Sequence, residues 1–176
     1  KIIELKKLPD LIKKTLQCQD KIQIIAQDFL QARGAMFLGR GLSFPIALEG
    51  ALKLKELSYL HAEGYPAGEM KHGPLALIEE GLPVVILAPK DRYFEKTISN
   101  MQEVIARGGK VILISNENNS IISENIRFSL KLPKTDDNLT PFLMTIPLQL
   151  LAYHVASLKN FDIDKPRNLA KSVTVE

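Results

Sequence analysis

The stretch PVVILAPKDRYFEKTISNMQEVIARGGKVILIS, residues 83–115, decides the fold class. It begins and ends with short apolar runs, PVVILAP at 83–89 and KVILIS at 110–115. Continuous apolar strands of this kind are buried on both faces, as in a parallel sheet. Between them, residues 93–106 place apolar side chains at helical spacing and are followed by a glycine pair. A strand, a helix and a second strand in this order predict a βαβ unit with a right-handed crossover.

The same alternation continues on both sides of this unit. AMFLG at 35–39 is another fully apolar strand, and it follows an amphipathic helix predicted at 21–32 with Asp20 as its N-cap. FSLKLP at 128–133 alternates as an edge strand or last strand does, and residues 140–158 form a long apolar helix. The chain is therefore predicted to be an α/β protein with a parallel sheet sandwiched between helices.

Length and composition predict a single domain. The chain has 176 residues, of which 45% are apolar and 24% charged, and no apolar run approaches the ~20 residues that span a membrane. The net charge of +3 comes without a basic stripe, so nothing favours binding to nucleic acid. The single cysteine, Cys18, excludes an internal disulfide and is typical of a reducing compartment such as the cytoplasm. Because the sequence begins with Lys1 rather than Met, we expect a piece of a longer protein.

Metal and cofactor sites have little support. His61, His72 and His154 lack the spacing of metal ligands, so we expect no metal and no cofactor. GRGLSFP at 39–45 is a glycine-rich turn after a strand, where α/β folds bind phosphates. It has neither a third glycine at the dinucleotide spacing nor a Walker lysine. We therefore interpret it as a tight turn with Ser43 as the N-cap of the next helix.

The helix that follows carries the stretch EGALKLKE, residues 49–56. At helical spacing Glu49, Lys53 and Glu56 fall within about 60° of one another, whereas Lys55 lies on a different side. The remaining directions are apolar, so we expect the helix to be largely buried. Two interpretations stay open: a modest ladder of ion pairs, or a charged stripe held in a cleft or subunit interface for chemistry.

Two segments do not fit the βαβ pattern and are candidates for function. HAEGYPAGEMKHGP at 61–74 is polar and rich in Gly and Pro, which predicts an irregular loop that carries His72. KPRNLAKSVTVE at 165–176 is a tail whose Lys171 lies between apolar residues. A tail lysine is ordinarily solvated, but one held against apolar surface can lose its proton and attack a carbonyl. The other two histidines are interpreted as structural residues of apolar helices.

Two long motifs resemble one enzyme family. ALEGALKLKELSYLHAEGYPAGEMKHGPLALI at 47–78 and DKPRNLAKSVTVE at 164–176 are similar to the glutamine–fructose-6-phosphate aminotransferase (isomerising) family. The resemblance implies that residues 1–164 are the second sugar isomerase (SIS) domain, a flavodoxin-like three-layer α/β/α fold. Residues 165–176 would be the C-terminal active-site tail. The glutaminase domain and the first SIS domain of that family are absent from this chain.

The resemblance also assigns catalytic roles. Lys171 matches the tail lysine that forms an imine with open-chain fructose 6-phosphate, and Glu56 matches the carboxylate that moves a proton between carbons one and two. Lys53 matches a lysine near the sugar ring, and Glu49 a supporting acid. His72 matches the histidine of ring opening, which reaches the active site of the neighbouring subunit. A carboxylate close to two adjacent carbons and a histidine of intermediate pKa are suited to these steps.

Substrate binding is implied to be shared with a part that this chain lacks. The backbone at Ala170 and the Lys171 side chain would contact the sugar, whereas the phosphate is held in the family by a Ser/Thr-rich loop of the first SIS domain. GRGLSFP lacks that run of hydroxyls. We therefore expect this chain alone to bind fructose 6-phosphate poorly and to make no glucosamine 6-phosphate.

The resemblance predicts a cytoplasmic homodimeric enzyme that converts fructose 6-phosphate and glutamine to glucosamine 6-phosphate and glutamate. A non-catalytic SIS module that senses sugar phosphates is one alternative, although a sensor needs no imine lysine. A structural dimerisation domain is another, because oligomer interfaces use apolar helices of the kind predicted here.

Overall fold

A computed structural model of the chain describes residues 2–117 and 126–169. The described elements, in chain order, are α1 (Ile2–Leu16), α2 (Gln19–Ala26), β1 (Ala35–Gly39), α3 (Ser43–Ser58), β2 (Ala62–Pro66), β3 (Pro83–Leu87), α4 (Phe94–Ile105), β4 (Lys110–Ser115), β5 (Ile126–Lys131) and α5 (Thr140–Leu158). Short 3₁₀ helices cover Gln27–Phe29, Ala67–His72 and Pro74–Leu77.

The five strands form one parallel sheet in the order β2-β1-β3-β4-β5. Its centre is in direct register, with Phe37 of β1 opposite Val85 of β3, and Val85 opposite Ile112 of β4. All three of these side chains are buried, as their apolar runs predict. The direction of strand progression reverses between β1 and β3, which makes a topological switch point there.

Helices cover both faces of the sheet and divide the core in two. Phe37, Val85 and Ile112 belong to the core beneath the layer of α1, α2, α3 and α5. Met36 and Val84 belong to the core on the other face, beneath α4 and the 3₁₀ helix Ala67–His72. The predicted α/β fold with a parallel sheet between two helical layers is confirmed.

Two predicted N-caps are wrong. The second helix begins at Gln19 with Cys18 as its N-cap, because a tight turn after α1 starts the next helix at once, and Asp20 lies in its first turn. Helix α3 begins at Ser43 with Leu42 as its N-cap and no capping side chain. The Ser43 hydroxyl is buried and instead donates to the sulfur of Met144 in α5, at 3.7 Å.

The segment predicted as an irregular loop contains the edge strand β2. Gly64 of this strand faces α3, where a Cβ atom would lie 2.9 Å from the Leu48 Cα, so the absence of a side chain allows the close approach. Pro66 ends the strand, which an edge position tolerates. The glycine and proline that indicated a loop are therefore residues of a strand held against a helix.

Helix α5 runs from Thr140 to Leu158, as predicted. Among the described residues it is the one helix long and apolar enough to cross a membrane by length and composition, so the expectation that no apolar run approaches this length is wrong. Half of that segment is buried within the domain, where α5 packs against α2 and α3. This is the arrangement of a core helix.

Candidate active site

The charged stripe of α3 is a compact group centred on one lysine. The Lys53 Nζ lies 2.6 Å from the Glu56 Oε2 and 3.9 Å from the Glu49 Oε1. The three side chains are 31%, 28% and 37% exposed, so the group is open to solvent on one side. The structure therefore brings the three predicted residues together on one helical face.

The surroundings of the stripe differ from the sequence prediction. Leu48 and Leu52 lie beside it and are 44% and 42% exposed, so the expectation of a helix buried on all other sides is wrong. Small residues make the buried face: a Cβ atom at Gly50 would lie 2.7 Å from the Leu148 side chain of α5. Helix α3 lies close to α5 and β2 along its small residues, with Leu54 in the core, whereas Leu48 and Leu52 point outward. The stripe is thus bordered by exposed apolar surface.

Lys53 is held as a cation. The hydrogen bond that it donates to Glu56 raises its pKa above the ordinary value, and the negative charges of Glu56 and Glu49 act in the same direction. A lysine kept protonated at neutral pH is a hydrogen-bond donor and not a base or a nucleophile. It can hold the Glu56 carboxylate in place and attract hydroxyl or phosphate oxygens of a ligand.

His72 lies on the other face of the sheet. It ends the 3₁₀ helix Ala67–His72, which packs against α4 and β2. Its side chain is 76% exposed, and its Nε2 lies 3.8 Å from the Glu69 Oε2. Within one chain the structure therefore does not bring His72 to the stripe of α3.

A long-range contact positions this His72 segment. The Arg40 Nε and Nη2 both donate to the Asn100 Oδ1, at 3.2 and 3.1 Å. Gly68 lies directly against the guanidinium, where a Cβ atom would be 2.9 Å from the Arg40 Nη2. Lys71 adds an ion pair of 3.2 Å to Glu103 of α4. Sequence reasoning missed Arg40 and Asn100, and the available signal was an asparagine on the apolar face of a helix.

Ala170 and Lys171 lie outside the described residues. The last part of the chain that the structure describes approaches the C-terminal end of α3, where the Arg167 amide donates to the Tyr59 hydroxyl at 2.8 Å. Tyr59 follows Glu56 by three residues, or about one helical turn. The sequence offered no reason to select Tyr59, because its partner lies 108 residues away.

The other two histidines differ from each other. His154 is a buried residue of α5, and burial lowers the pKa of its imidazole, which agrees with the structural role predicted for it. His61 does not lie in a helix: it is exposed, immediately before β2, with its Nε2 3.4 Å from the Glu63 Oε1. Among residues 2–117 and 126–169, no group of three or more His, Cys, Asp or Glu side chains could hold a metal ion.

A cleft of about 440 Å³ opens at the carboxyl edge of the sheet, beside the switch point. The GRGLSFP turn forms one wall. Within it the Ser43 amide donates to the Arg40 carbonyl at 3.0 Å and the Phe44 amide to the Gly41 carbonyl at 3.2 Å. Two hydroxyl-bearing side chains of the lining, Ser43 and Thr140, already donate to Met144 and to the Asp136 carbonyl. The turn is therefore tight and self-bonded, as predicted, and differs from a loop of free hydroxyls.

The order of the parallel strands, the two helical layers and the cleft at the switch point define a flavodoxin-like three-layer α/β/α domain. Residues 28–159 match the SIS domain family. The chain belongs to that family.

The chain is similar to one part of much longer enzymes. The chain is 52% identical over 172 residues to the glutamine–fructose-6-phosphate aminotransferase (isomerizing) of Aquifex aeolicus, and 53% identical over 174 residues to that of Bartonella quintana. Each alignment covers 98% of this chain but 29% of the relative. The chain therefore spans less than a third of the length of these curated relatives.

Solved structures agree with this similarity. The C-terminal domain of glucosamine-fructose-6-phosphate aminotransferase from Francisella tularensis superposes with a TM-score of 0.88 and 48% identity, over 92% of this chain and 46% of that one. Glucosamine-6-phosphate deaminase from Thermotoga maritima superposes with a TM-score of 0.71 and 26% identity, over 98% and 48%. Both are about twice the length of the matched region, which leaves room for a second domain of this size.

Proposed function

We propose that this chain is the C-terminal part of the isomerase of a glutamine–fructose-6-phosphate aminotransferase. In this proposal residues 1–164 are the second SIS domain and residues 165–176 the active-site tail. The whole enzyme would convert fructose 6-phosphate and glutamine to glucosamine 6-phosphate and glutamate. The similarity to the aminotransferases of Aquifex aeolicus and Bartonella quintana supports this proposal over nearly the full chain.

One structural observation carries the proposal. The Glu56 carboxylate is held 2.6 Å from the Lys53 ammonium on a partly exposed helix face, so an oriented base and a fixed cation face solvent. An aldose–ketose conversion needs one base near two adjacent carbons.

The proposed reaction begins on the tail. The Lys171 amine attacks the C2 carbonyl of the open-chain sugar and forms an imine with loss of water. Ammonia then displaces the lysine at C2 and leaves an imine there. Glu56 carries a proton from C1 to C2, and the proton of the C1 hydroxyl passes to the nitrogen. The nitrogen remains on C2 and C1 becomes an aldehyde. Lys53 would donate hydrogen bonds near the sugar ring while Glu49 supports it.

Ring opening is assigned to His72 of a neighbouring subunit. His72 is exposed, and its segment packs on the opposite side of the sheet from α3. A homodimer that presents the His72 of one chain to the stripe of the other would bring an acid–base group of intermediate pKa to the sugar. We infer the dimer from this separation and from the family resemblance.

The sugar phosphate is proposed to bind together with a first SIS domain. The cleft beside GRGLSFP has few free hydroxyls, so its walls give little support for a phosphate site within this domain. Ala170 and Lys171 would contact the sugar from the tail. We expect a cytoplasmic enzyme without a cofactor, and a 176-residue chain that is inactive when isolated.

Borohydride trapping tests this function in the full-length protein that contains the chain. Fructose 6-phosphate with borohydride should label Lys171 by reducing the imine, and Lys171→Ala should abolish the label. Lys165→Ala is the matched control in the same tail and should keep the label. Labelling that survives Lys171→Ala would show that another lysine forms the imine.

A structural interface is the second candidate, favoured by the exposed Leu48 and Leu52 beside the stripe. Under this hypothesis α3 packs against another domain and its charges are ion pairs of the rim. Leu48→Ser with Leu52→Ser would then disrupt the assembly of the full-length protein in sedimentation experiments. Trapping at Lys171 in the same variant, if assembly is intact, would favour the catalytic function.

A further inference from the structure

Within the part of the chain that the structure describes, the start of the tail contacts α3 at the side chain of Tyr59. The Arg167 amide donates to the Tyr59 hydroxyl at 2.8 Å, and the Arg167 guanidinium lies over the Tyr59 ring, 4.1 Å from its centroid. The Phe161 ring packs against the same ring at a centroid distance of 4.8 Å. A polar contact, a cation–π contact and an aromatic contact therefore converge on one residue.

The backbone of Tyr59 has a conformation that is unusual for a residue with a side chain. It is the C-cap of α3 and has a φ of 57°, in the left-handed region, with its amide donating to the Lys55 carbonyl at 3.1 Å. Helices commonly end with glycine in this conformation, because a side chain there is unfavourable. A tyrosine at this position is explained by what its ring and hydroxyl hold.

The chain between α5 and Arg167 is folded toward this contact. Asn160 has a φ of 57°, and the Phe161 amide donates to the Ala156 carbonyl at 3.0 Å, which ends α5 with a Schellman-type cap. The Asp162 side chain then accepts from the amides of Asp164 and Lys165, both at 3.0 Å. The approach of the tail is thus built from local turns that direct it to the end of α3.

The attachment point limits how far Lys171 can be from the stripe. Lys171 follows Arg167 by four residues, so their Cα atoms are at most about 14 Å apart in an extended chain. Tyr59 follows Glu56 by three residues, a rise of about 4.5 Å along the helix. The tail is therefore attached about one helical turn from Glu56, and only four residues separate this attachment from Lys171 in the sequence.

We propose that Tyr59 and Arg167 are positioning residues that clasp the start of the tail to the end of α3, so that Lys171 acts on the same sugar as Glu56. This inference rests on the proposed function, because Lys171 and Glu56 have their roles there. The clasp acts at a distance from the sugar. Its loss should lower the rate of imine formation at saturating sugar more than it weakens sugar binding, since catalytic groups displaced by about 1 Å can lose about 100-fold in rate.

The experiment measures the rate constant of borohydride trapping at Lys171 in single turnovers of the full-length protein. Tyr59→Phe removes the hydroxyl acceptor but keeps the ring, and Arg167→Ala removes the cation over the ring. We expect each to slow trapping, and the double variant to slow it by about 10-fold to 100-fold. Arg167→Lys, which keeps a cation over the ring, should restore part of the rate.

The readout separates positioning from stability. A trapping rate constant per bound sugar does not depend on the fraction of protein that is folded, whereas a merely structural role would alter that fraction alone. Arg127→Ala is the matched control, because Arg127 also stacks on an aromatic ring, Phe128, at 4.9 Å, on the opposite edge strand. It should leave the rate unchanged.

The possible outcomes are distinct. Wild-type trapping at Lys171 with an unchanged rate in the double variant would overturn the clasp and leave the proposed function standing. Slow trapping in the double variant with a normal rate in Arg127→Ala supports the clasp. Wild-type protein that traps no sugar at Lys171 would overturn the proposed function, and the clasp with it.

Discussion

The charged face of α3 and the His72 segment lie on opposite sides of one sheet and are held by different kinds of contact. On α3, Lys53 reaches partners three and four residues away, so the helix itself sets the geometry. The His72 segment depends on Arg40 and Asn100, which are 60 residues apart in the chain. One candidate site is therefore local and the other is tertiary. Substitutions should affect chemistry at the first and structure at the second.

The largest effect is expected from Glu56→Gln, which tests the local site. The amide keeps the size and the helical position of the side chain but cannot accept a proton, so isomerisation by the full-length protein should fall by about 100-fold to 10,000-fold. The free energy of unfolding should change little, because the amide oxygen can still accept the hydrogen bond from Lys53. Product formation and urea unfolding measure the two quantities.

Glu49→Gln is the comparison variant on the same face. Its ion pair to Lys53 is longer, at 3.9 Å, and its proposed role is supporting, so the loss of activity should be smaller. Equal losses in Glu49→Gln and Glu56→Gln would contradict the assignment of proton transfer to Glu56.

Arg40→Ala tests the tertiary site and should destabilise the domain. Asn100 is buried, and its carbonyl oxygen would lose both donors, which costs about 1–3 kcal/mol of unfolding free energy. Hydrogen exchange should also speed up in the 3₁₀ helix Ala67–His72, because Gly68 packs on the lost guanidinium. Urea unfolding and amide exchange provide the measurements.

The exposed Arg92, which stacks on Tyr93 at 4.7 Å, offers a matched arginine. Arg92→Ala should change the unfolding free energy by less than about 0.5 kcal/mol. If Arg40→Ala is as mild as Arg92→Ala and exchange in the His72 segment is unaltered, the segment is held by other contacts, such as the Lys71–Glu103 ion pair.

The same distinction explains what the sequence could predict. Strands β1, β3 and β4 were predictable because each is a continuous apolar run, and α5 because its length and composition allow few other structures. Strand β2 was missed because it is an edge strand of sequence AEGYP, with neither alternation nor an apolar run. Its pairing with β1 and its contact with α3 override the weak local preference.

The candidate sites follow the same rule. Helical spacing placed Glu49, Lys53 and Glu56 together, and the structure agrees. The Arg40–Asn100 and Tyr59–Arg167 contacts join residues 60 and 108 positions apart, and no local pattern marks such a pair. The exposure of Leu48 was also unpredictable, because it depends on how closely the small residues of α3 allow the neighbouring elements to approach.

A smaller effect, on the pH dependence of the unfolding free energy, is expected from His154→Leu. His154 lies in α5, in the helical layer that also contains α3. Burial lowers the pKa of His154, so below about pH 6.5 the unfolded chain binds more protons at this residue than the folded domain does. The folded domain therefore loses stability as the pH falls below this value, by at most about 1.4 kcal/mol per pH unit for one proton. His154→Leu should remove this component of acid sensitivity.

The measurement is the difference in unfolding free energy between wild type and His154→Leu at pH 7.5 and at pH 5.5. His154 is 7% exposed and its Nε2 has no hydrogen-bond partner among the residues that the structure describes, so leucine should also be tolerated at neutral pH. His61→Gln, at an exposed histidine, controls for the loss of an imidazole. A difference that does not grow on acidification would contradict the buried neutral state of His154.

The smallest effect on stability is expected from Lys53→Met, and it discriminates most sharply between the two interpretations of the stripe. Methionine keeps the length and the helix propensity of lysine but removes both ion pairs. Because these side chains are about one third exposed, the unfolding free energy should fall by less than about 0.5 kcal/mol.

Lys55→Met, on the exposed side of the same helix, is the matched control. If Lys53→Met costs more than about 1 kcal/mol beyond Lys55→Met while the full-length protein keeps its activity, the stripe is a structural ladder. A small loss of stability with a large loss of activity instead assigns the cation to the substrate, since a charge that contributes little to folding would then be needed for chemistry.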